Sequence, residues 1–200
     1  MERNFTASIT NRRSYYQIGN SSPVEDAAIE NILRTALQHV PSAFNSQSAR
    51  FVLLLGPQHQ KLWNIVKTKL KEITSEEQYR QSESKIDNCF ASGYGTVLFF
   101  EDQTVIEELQ ANLPKYAENF DLWSLQASGM HQFVVWTMLE DAGFGASLQH
   151  YNPIIDGDVI REWNLNPKWK LIAQMPFGTA LAQPQEKDMA PLEDRMLIFE

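Results

Sequence analysis

The sequence predicts a single domain of mixed α and β structure, and three observations support this. A chain of 200 residues with 43% hydrophobic content can bury a substantial core, because a domain of this size hides roughly 70% of its unfolded surface. Short apolar runs alternate with segments of helical periodicity, a pattern typical of α and β elements in one fold. No repeat, low-complexity tract or Pro/Gly-rich linker divides residues 1–200.

The first predicted helix covers residues 23–40. Ser22 is placed as the N-cap, Pro23 at the first helical position, and Glu25 completes a capping box. Apolar residues then follow at helical spacing: Ile29, Ile32, Leu33, Ala36, Leu37 and Val40. Pro41 ends the helix.

Two apolar runs predict buried strands. The first is Phe51–Leu55, which ends at Gly56, and the second is Thr96–Phe100, which ends at acidic residues. A helix is predicted between them, with an inner face formed by Leu62, Trp63, Ile65, Val66 and Leu70. The polar segment Thr74–Lys85 indicates an exposed connector.

A long core helix is predicted across residues 122–142, opened by Asp121 and ended by Gly143. The pattern beyond it predicts a strand near Ala146–Gln149, a helix near Gly157–Trp163 and a strand near Lys170–Met175. The final segment, Arg195–Phe199, is strand-like and apolar. Such a tail requires a partner, either its own sheet or another subunit to which it adds a strand.

Charge and cysteine content narrow the function. The net charge of −8 argues against a general nucleic-acid or anionic-membrane binder, so any phosphate must bind locally. A lone Cys89 forms neither an internal disulfide nor a Cys-rich metal cluster, which suits a reducing compartment. The N-terminus lacks a signal-like segment and no apolar stretch reaches the roughly 18 residues of a membrane span. We therefore expect a soluble, cytoplasmic protein.

The basic cluster Arg12-Arg13-Ser14 follows Asn11 in an otherwise acidic protein. Guanidinium groups match phosphate oxygens and the hydroxyl adds a further hydrogen bond, so a phosphate clamp is one interpretation. The alternative is an exposed basic turn whose arginines pair with nearby carboxylates.

The loop Pro41–Ser48 is rich in hydroxyl and amide side chains. Such groups can both donate to and accept from a heteroaromatic ring or a ribityl chain. The alternative is a simple turn between a helix and a strand.

The segment Gly143–Pro153 ends a predicted strand in a polar cluster that contains His150. Ligands often collect at strand ends, and the histidine invites an acid/base role. The four histidines show no HExxH or His-Cys spacing, so a zinc site is disfavoured.

A tight turn at Met175–Gly178 is followed by Lys187. This lysine either neutralises a phosphate as a point charge or is simply solvated. No GxSxG, Walker or GxGxxG pattern occurs in the chain, which disfavours hydrolase, kinase and Rossmann readings.

In chain order, Arg12–Ser14, Pro41–Gln47, Gly145–Pro153 and Pro176–Gly178 resemble the motifs of the nitroreductase family. The resemblance spans nearly the whole chain. With Gly93–Asp102 it is most similar to the short subgroup of fungal fatty-acid-repression proteins and bacterial quinone and nitroaromatic reductases.

The resemblance implies an α+β fold with a central, mostly antiparallel sheet flanked by helices. It also implies an intertwined homodimer that exchanges its C-terminal strand and holds two FMN molecules, each between both subunits. The implied cofactor-binding residues are Arg12, Arg13, Ser14 and Lys187 at the phosphate and ribityl end, Ser42, Ala43, Asn45 and Gln47 in the second motif, and Gln149, His150, Tyr151 and Asn152 along the isoalloxazine ring. Ser42, Ala43 and Asn45 would arrive from the partner subunit. No metal is implied.

Two positions depart from the family pattern. Tyr16 stands where a basic residue is usual beside the flavin's pyrimidine edge, and this change is expected to alter the flavin potential unless another group replaces the cation. Ala43 stands where many relatives carry a hydroxyl, which removes a donor.

The implied activity is ping-pong reduction of nitroaromatics or quinones, with NADH or NADPH as the electron donor and hydride transfer through flavin N5. No protein group acts as a nucleophile, and small flat acceptors would enter an open cleft over the ring. One alternative is a flavin-binding protein with little turnover, in which redox state controls a partner in regulation or lipid signalling. Another is a flavin-free dimeric module.

Overall fold

The computed structural model describes residues 4–200 of the chain. Its elements run in the order α1 (Phe5–Asn11), β1 (Ile18–Gly19), α2 (Asp26–His39), β2 (Ala49–Leu55), α3 (Gly56–Ile73), α4 (Glu76–Cys89), β3 (Gly95–Asp102), α5 (Gln103–Asn112), α6 (Phe120–Asp141), β4 (Phe144–Ala146), α7 (Asp156–Glu162) and β5 (Trp169–Ala180). Short 3₁₀ helices lie at Ala43–Asn45 and Pro114–Asn119. Within this part of the chain, no helix has the length and apolar character needed to cross a membrane.

The named strands form one antiparallel sheet, which confirms the predicted α+β class. Its order is β1-β5-β3-β2, and β4 also pairs with β5. One end of the sheet brings Gly95 opposite Phe177, and the other brings Glu101 opposite Lys170. On the remaining side of β3, Ala49 pairs with Glu101. These registers fix which loops meet at each end of the sheet.

Helices cover both faces of the sheet, and alternating residues of β3 enter two different cores. Val97 and Phe99 pack in a cluster with residues of α2 and α6. Leu98 and Phe100 pack in a second cluster with residues of α3, α4 and α7. All eight residues of β3 are buried. A strand that is buried on both faces has a continuous apolar sequence, which is the pattern that predicted it.

The predicted start of the first long helix is wrong by three residues. The helix begins at Asp26, with Glu25 at the N-cap and no side-chain cap hydrogen bond. Ser22 Oγ instead accepts from the Val24 N–H at 3.3 Å. The serine thus forms a local turn before the helix, so the capping box does not form.

The segment predicted as an exposed connector is helical, and that prediction is wrong. Helix α4 starts at Glu76 with Ser75 as its N-cap. Ser75 Oγ accepts from the Gln78 N–H at 3.4 Å, and Gln78 Oε1 accepts from the Ser75 N–H at 3.3 Å. The Ser-x-x-Gln spacing is a capping box that the polar composition concealed.

Two strands also differ in their boundaries from the prediction. Strand β4 ends at Ala146, where the predicted strand began, and β5 extends to Ala180. The segment Arg195–Phe199 does not pair with the sheet, and the Phe199 side chain is 90% exposed. Pairing within its own sheet is therefore wrong, whereas exchange with a partner stays a prediction.

Candidate functional site

A cleft of about 820 Å³ lies between the end of α1 and the segment after β5. Its lining includes the first motif, Arg12, Arg13 and Ser14, together with Lys187. Helix α1 ends at Asn11, and the extended chain then pairs Ser14 with Ala146 in a parallel bridge. This pairing is what brings the predicted phosphate clamp and the lysine of the fourth motif into one cavity.

Within residues 4–200, the two arginines of the cleft have no acidic partner. Arg12 stacks over the Trp136 ring at 4.5 Å from its centroid, and its Nε is buried without a hydrogen-bond partner. Arg13 Nη2 donates to the Gln185 carbonyl. Among residues 4–200, no carboxylate lies within ion-pairing distance of either guanidinium. The basic turn paired with carboxylates is therefore not what the structure contains.

Burial and the neighbouring Arg13 lower the pKa of Arg12 from its ordinary value. Burial removes water from the guanidinium, and the neighbouring positive charge repels it; both disfavour the charged form. An anion that enters the cleft would relieve this repulsion, so the site is suited to bind phosphate.

The third motif lies beside this cleft because it begins in β4, whose Ala146 pairs with Ser14 of the cleft. Tyr15 N–H donates to the Ala146 carbonyl at 2.9 Å. Gln149 pairs with Gln174 across the sheet, with Gln149 N–H donating at 2.7 Å. Gln174 Oε1 accepts from the Tyr151 N–H at 2.7 Å. The backbone from Ala146 to Tyr151 is thus pinned along the sheet.

The side chains of the third motif point in different directions. The Tyr151 ring packs against Trp63 and Phe90, with centroids 5.9 and 6.3 Å away, and burial raises the pKa of Tyr151 to about 12. Asn152 Oδ1 accepts from Gln174 Nε2 at 3.3 Å, whereas His150 is exposed. The backbone N–H of Tyr151 already donates to Gln174, and its ring is held against the second core cluster.

The second motif lies at the opposite end of the sheet. Its loop precedes Ala49, which pairs with Glu101, whereas Leu55 at the other end of β2 pairs with Gly95. Strand β2 spans about 20 Å. Within one subunit, the structure thus leaves Ser42, Ala43, Asn45 and Gln47 apart from the basic cleft.

The second-motif loop has an unusual backbone. Phe44, Asn45 and Gln47 have φ angles of 55°, 53° and 50°, a region that non-glycine residues seldom occupy. Ser42 Oγ accepts from the Gln47 N–H at 3.0 Å. Phe44 is exposed and, with Ala43, lines a smaller pocket of about 220 Å³ against α6.

One residue of the cleft escaped sequence reasoning. Trp136 lies within the predicted long core helix and belongs to none of the four motifs, yet its ring supports the Arg12 guanidinium. No local pattern links two residues so far apart in the chain. Within residues 4–200, no group of three or more His, Cys, Asp or Glu side chains is arranged to hold a metal ion.

The antiparallel sheet, the long helix α6 and the basic cleft together define an α+β protein with Arg12, Arg13 and Lys187 gathered in one cavity. The chain belongs to the nitroreductase family, whose model matches residues 9–179. Nitroreductase FRM2 of Saccharomyces cerevisiae is 33% identical over 187 residues, which are 92% of each chain.

Solved structures agree with this membership. Nitroreductase CinD from Lactococcus lactis, in complex with 4-nitrophenol, is 40% identical with a TM-score of 0.90, and the match covers 98% of this chain and 100% of that one. A protein from Desulfovibrio desulfuricans in complex with FMN is 19% identical with a TM-score of 0.70, over 100% and 99% of the two chains. At that identity, the second likeness shows the fold alone.

Proposed function

We propose that this protein is a cytoplasmic, homodimeric, FMN-dependent NAD(P)H oxidoreductase that reduces nitroaromatic compounds or quinones. The proposal rests on the pair of guanidiniums in a cleft of about 820 Å³, for which the described part of the chain supplies no carboxylate partner. This volume lies in the range of roughly 300–1,000 Å³ typical of small-molecule sites. The complex of CinD with 4-nitrophenol and the FMN complex of the D. desulfuricans protein support the acceptor class and the cofactor.

FMN, when bound, would supply the hydride and electron transfer between NADH or NADPH and the acceptor, through its N5 position. The residues of this chain would bind and orient it. Arg12, Arg13 and Lys187 would hold the phosphate, with Ser14 adding a hydrogen bond. Gln149 and the backbone from His150 to Asn152 would border the ring.

The geometry of α6 supports a two-subunit site. Phe44 of the second-motif loop packs on Trp123, with ring centroids 6.0 Å apart, whereas Arg12 stacks on Trp136. The helix rises about 20 Å between these two tryptophans. Gly129 lies midway, with open space beyond it. A two-fold axis near Gly129 would exchange the two ends, so the loop of the partner subunit would meet the basic cleft.

The departure at Tyr16 has a neighbour of the required charge. Lys85 Nζ lies 5.8 Å from the Tyr16 ring centroid, and Tyr16 itself lines the cleft. In relatives, this positive charge is carried by a residue of the first-motif segment. Here Lys85, which belongs to α4, would supply it instead.

Purified protein tests the proposal. We expect flavin absorption bands, or their appearance on adding FMN, which bleach with NADH or NADPH and return with a quinone or with 4-nitrophenol. Absence of NAD(P)H oxidation with every such acceptor would show that the reductase assignment is wrong. A yellow protein without turnover, whose partners change on reduction, would favour the regulatory alternative.

Replacing Arg12 by Met tests the phosphate clamp. We expect FMN to bind about 10- to 100-fold more weakly, because a charge-assisted hydrogen bond is worth about 1.5–3 kcal/mol. Fluorescence titration of the apoprotein with FMN measures the change. Arg34→Met is the matched control, since Arg34 lies on the exposed face of α2, where it pairs with Glu30 and lines no part of the cleft. Equal affinity in the two variants would contradict the assignment.

A further inference from the structure

The strained second-motif loop is hydrogen-bonded to a buried carboxylate near the end of β3. Glu101 is 1% exposed and paired with Ala49 across the sheet. Ser48 Oγ donates to Glu101 Oε2 at 2.6 Å. The other oxygen, Oε1, is buried without a hydrogen-bond partner among the described residues. A carboxylate so placed is costly to bury and contributes little to packing, so a structural role in the core alone does not account for it.

A second connection reaches the same loop from β2. Arg50 Nη1 donates to the Gln47 carbonyl at 2.8 Å, and Arg50 Nη2 pairs with Asp102 at 3.0 Å. The Asp102 N–H donates to the Ser48 carbonyl at 2.9 Å. Two adjacent residues of β3 thus hold two sites of the loop: Glu101 holds the Ser48 side chain, and Asp102 holds the Ser48 backbone and the arginine that binds Gln47.

The loop needs such support. Each of its three positive-φ residues, Phe44, Asn45 and Gln47, is in a backbone conformation that is unfavourable outside glycine. Such strain persists only where surrounding contacts determine the backbone. Inside the loop, backbone hydrogen bonds at Asn45 and Ser46 and the Ser42–Gln47 hydrogen bond help to do so, as do the ring contacts of Phe44. From the sheet, Glu101 on β3 and Arg50 on β2 hold Ser48 and Gln47.

We propose that Glu101 and Arg50 are positioning residues that hold the second-motif loop in the shape that binds the flavin of the partner subunit. The inference rests on the proposed function, since it assigns the anchors a task at that site. Burial raises the pKa of Glu101 to about 7, opposed by the hydrogen bond from Ser48 and the charge of Arg50. Glu101 accepts the hydrogen bond from Ser48 both as a neutral acid and as a carboxylate. This hydrogen bond, which anchors the loop, therefore forms in either protonation state.

The main test is the double variant Ser48→Ala/Glu101→Met. It removes both members of a buried hydrogen bond, a change that is close to neutral for stability. We expect the apoprotein to keep its melting temperature to within a few degrees, while FMN binds about tenfold more weakly. Amide hydrogen exchange across residues 42–49 of the apoprotein is expected to accelerate, which reports the anchor without any flavin.

Conservative and surface variants complete the design. Glu101→Gln keeps an acceptor for Ser48 and is expected to retain the affinity and exchange of the unmodified protein. Arg50→Met, at a partly exposed position, is expected to weaken FMN several-fold even if the buried variant does not fold. Lys168→Met is the control, because Lys168 lies at the same end of the sheet and forms an exposed ion pair with Glu107 that does not involve the loop.

The outcomes separate the two hypotheses. Unchanged exchange in both anchor variants would overturn the anchor, whatever happens to FMN. Faster exchange with unaltered FMN affinity would show that the anchor does not serve the flavin site. If exchange responds but the unmodified protein has no affinity for FMN, the proposed function fails, and the positioning role fails with it.

Discussion

His59 is buried in the core and hydrogen-bonded as a neutral imidazole. Its Nδ1 lies 2.8 Å from Thr96 Oγ1, and its Nε2 lies 3.2 Å from the Ala91 carbonyl. Trp63 Nε1 donates to the same hydroxyl at 3.2 Å, so that hydroxyl can donate to Nδ1 while Nε2–H donates to Ala91. Burial lowers the pKa of His59 to about 4. This histidine is a structural residue and not a proton donor.

The His59 environment should make stability fall in acid. The unfolded imidazole has a pKa near 6.5 and the folded one about 4, so the contribution is complete above pH 6.5 and is lost as pH falls toward 4. We expect His59→Gln to lose less stability than the unmodified protein between pH 7 and 4.5, by on the order of 2 kcal/mol. Urea unfolding at both pH values measures this.

The His59→Gln variant must be compared with the unmodified protein because Glu101 changes the free energy of unfolding with pH in the opposite direction. Its pKa is raised from 4.5 to about 7, so its contribution is complete below pH 4.5 and is lost as pH rises through 7. The two slopes offset each other in the unmodified protein. Identical pH profiles for the His59→Gln variant and the unmodified protein would contradict the assigned burial effect.

At the scale of elements, the edge of the sheet beside the cleft depends on close backbone approach. A Cβ on Gly178 would lie 2.1 Å from the Gly19 carbonyl oxygen of β1. A Cβ on Gly145 of β4 would lie 2.9 Å from the Tyr15 side chain. Strand β1 therefore approaches β5 closely because Gly178 has no side chain. Strand β4 approaches the cleft-lining residue Tyr15 because Gly145 has none.

Gly178→Ala is expected to destabilise the fold by about 3 kcal/mol, because the added methyl group meets backbone that cannot rotate away. Gly157→Ala is the matched control. Its Cβ would meet only the flexible end of Arg161, at 3.3 Å, and alanine is favoured in the helix α7 by about 0.5–1 kcal/mol. Urea denaturation should show opposite signs, and equal midpoints would refute the steric account.

At the scale of the whole molecule, α6 exposes an apolar stripe between the two halves of the proposed site. It comprises Leu122, Leu125, Met130 and Phe133, of which Leu122 is 56% exposed. A contiguous apolar surface on a helix otherwise packed into the core is typical of a protein interface. This stripe connects the position of the second-motif loop with that of the basic cleft.

The double variant Met130→Glu/Phe133→Glu tests the two-copy site. We expect a monomer by analytical ultracentrifugation and a loss of FMN binding of at least about tenfold, because buried like charges would face each other across a two-fold interface. Ile73→Glu is the control, since Ile73 is equally apolar and 62% exposed but belongs to α3 on the other face of the sheet. A monomeric variant that still binds FMN normally would place the whole site within one subunit.

Much of the fold was predictable because it depends on local periodicity. The continuous apolar run at Thr96–Phe100 is buried on both faces of β3, and the long helix ends at Asp141 before Gly143, whose φ is +93°. Polar composition misled at α4, where a capping box at Ser75 starts a helix with little apolar surface. Helix boundaries of this kind depend on one or two hydrogen bonds, which composition does not report.

The sequence by itself determined the α+β class, most of the helices and strands, and the chemical character of the four motifs. Only the tertiary structure decided that Arg12 and Lys187 share a cleft, that Trp136 supports Arg12, and that the Ser42–Gln47 loop lies at the far end of the sheet. Periodicity records which face of an element is buried. Distances between elements follow instead from strand register and helix packing, which join residues far apart in the chain.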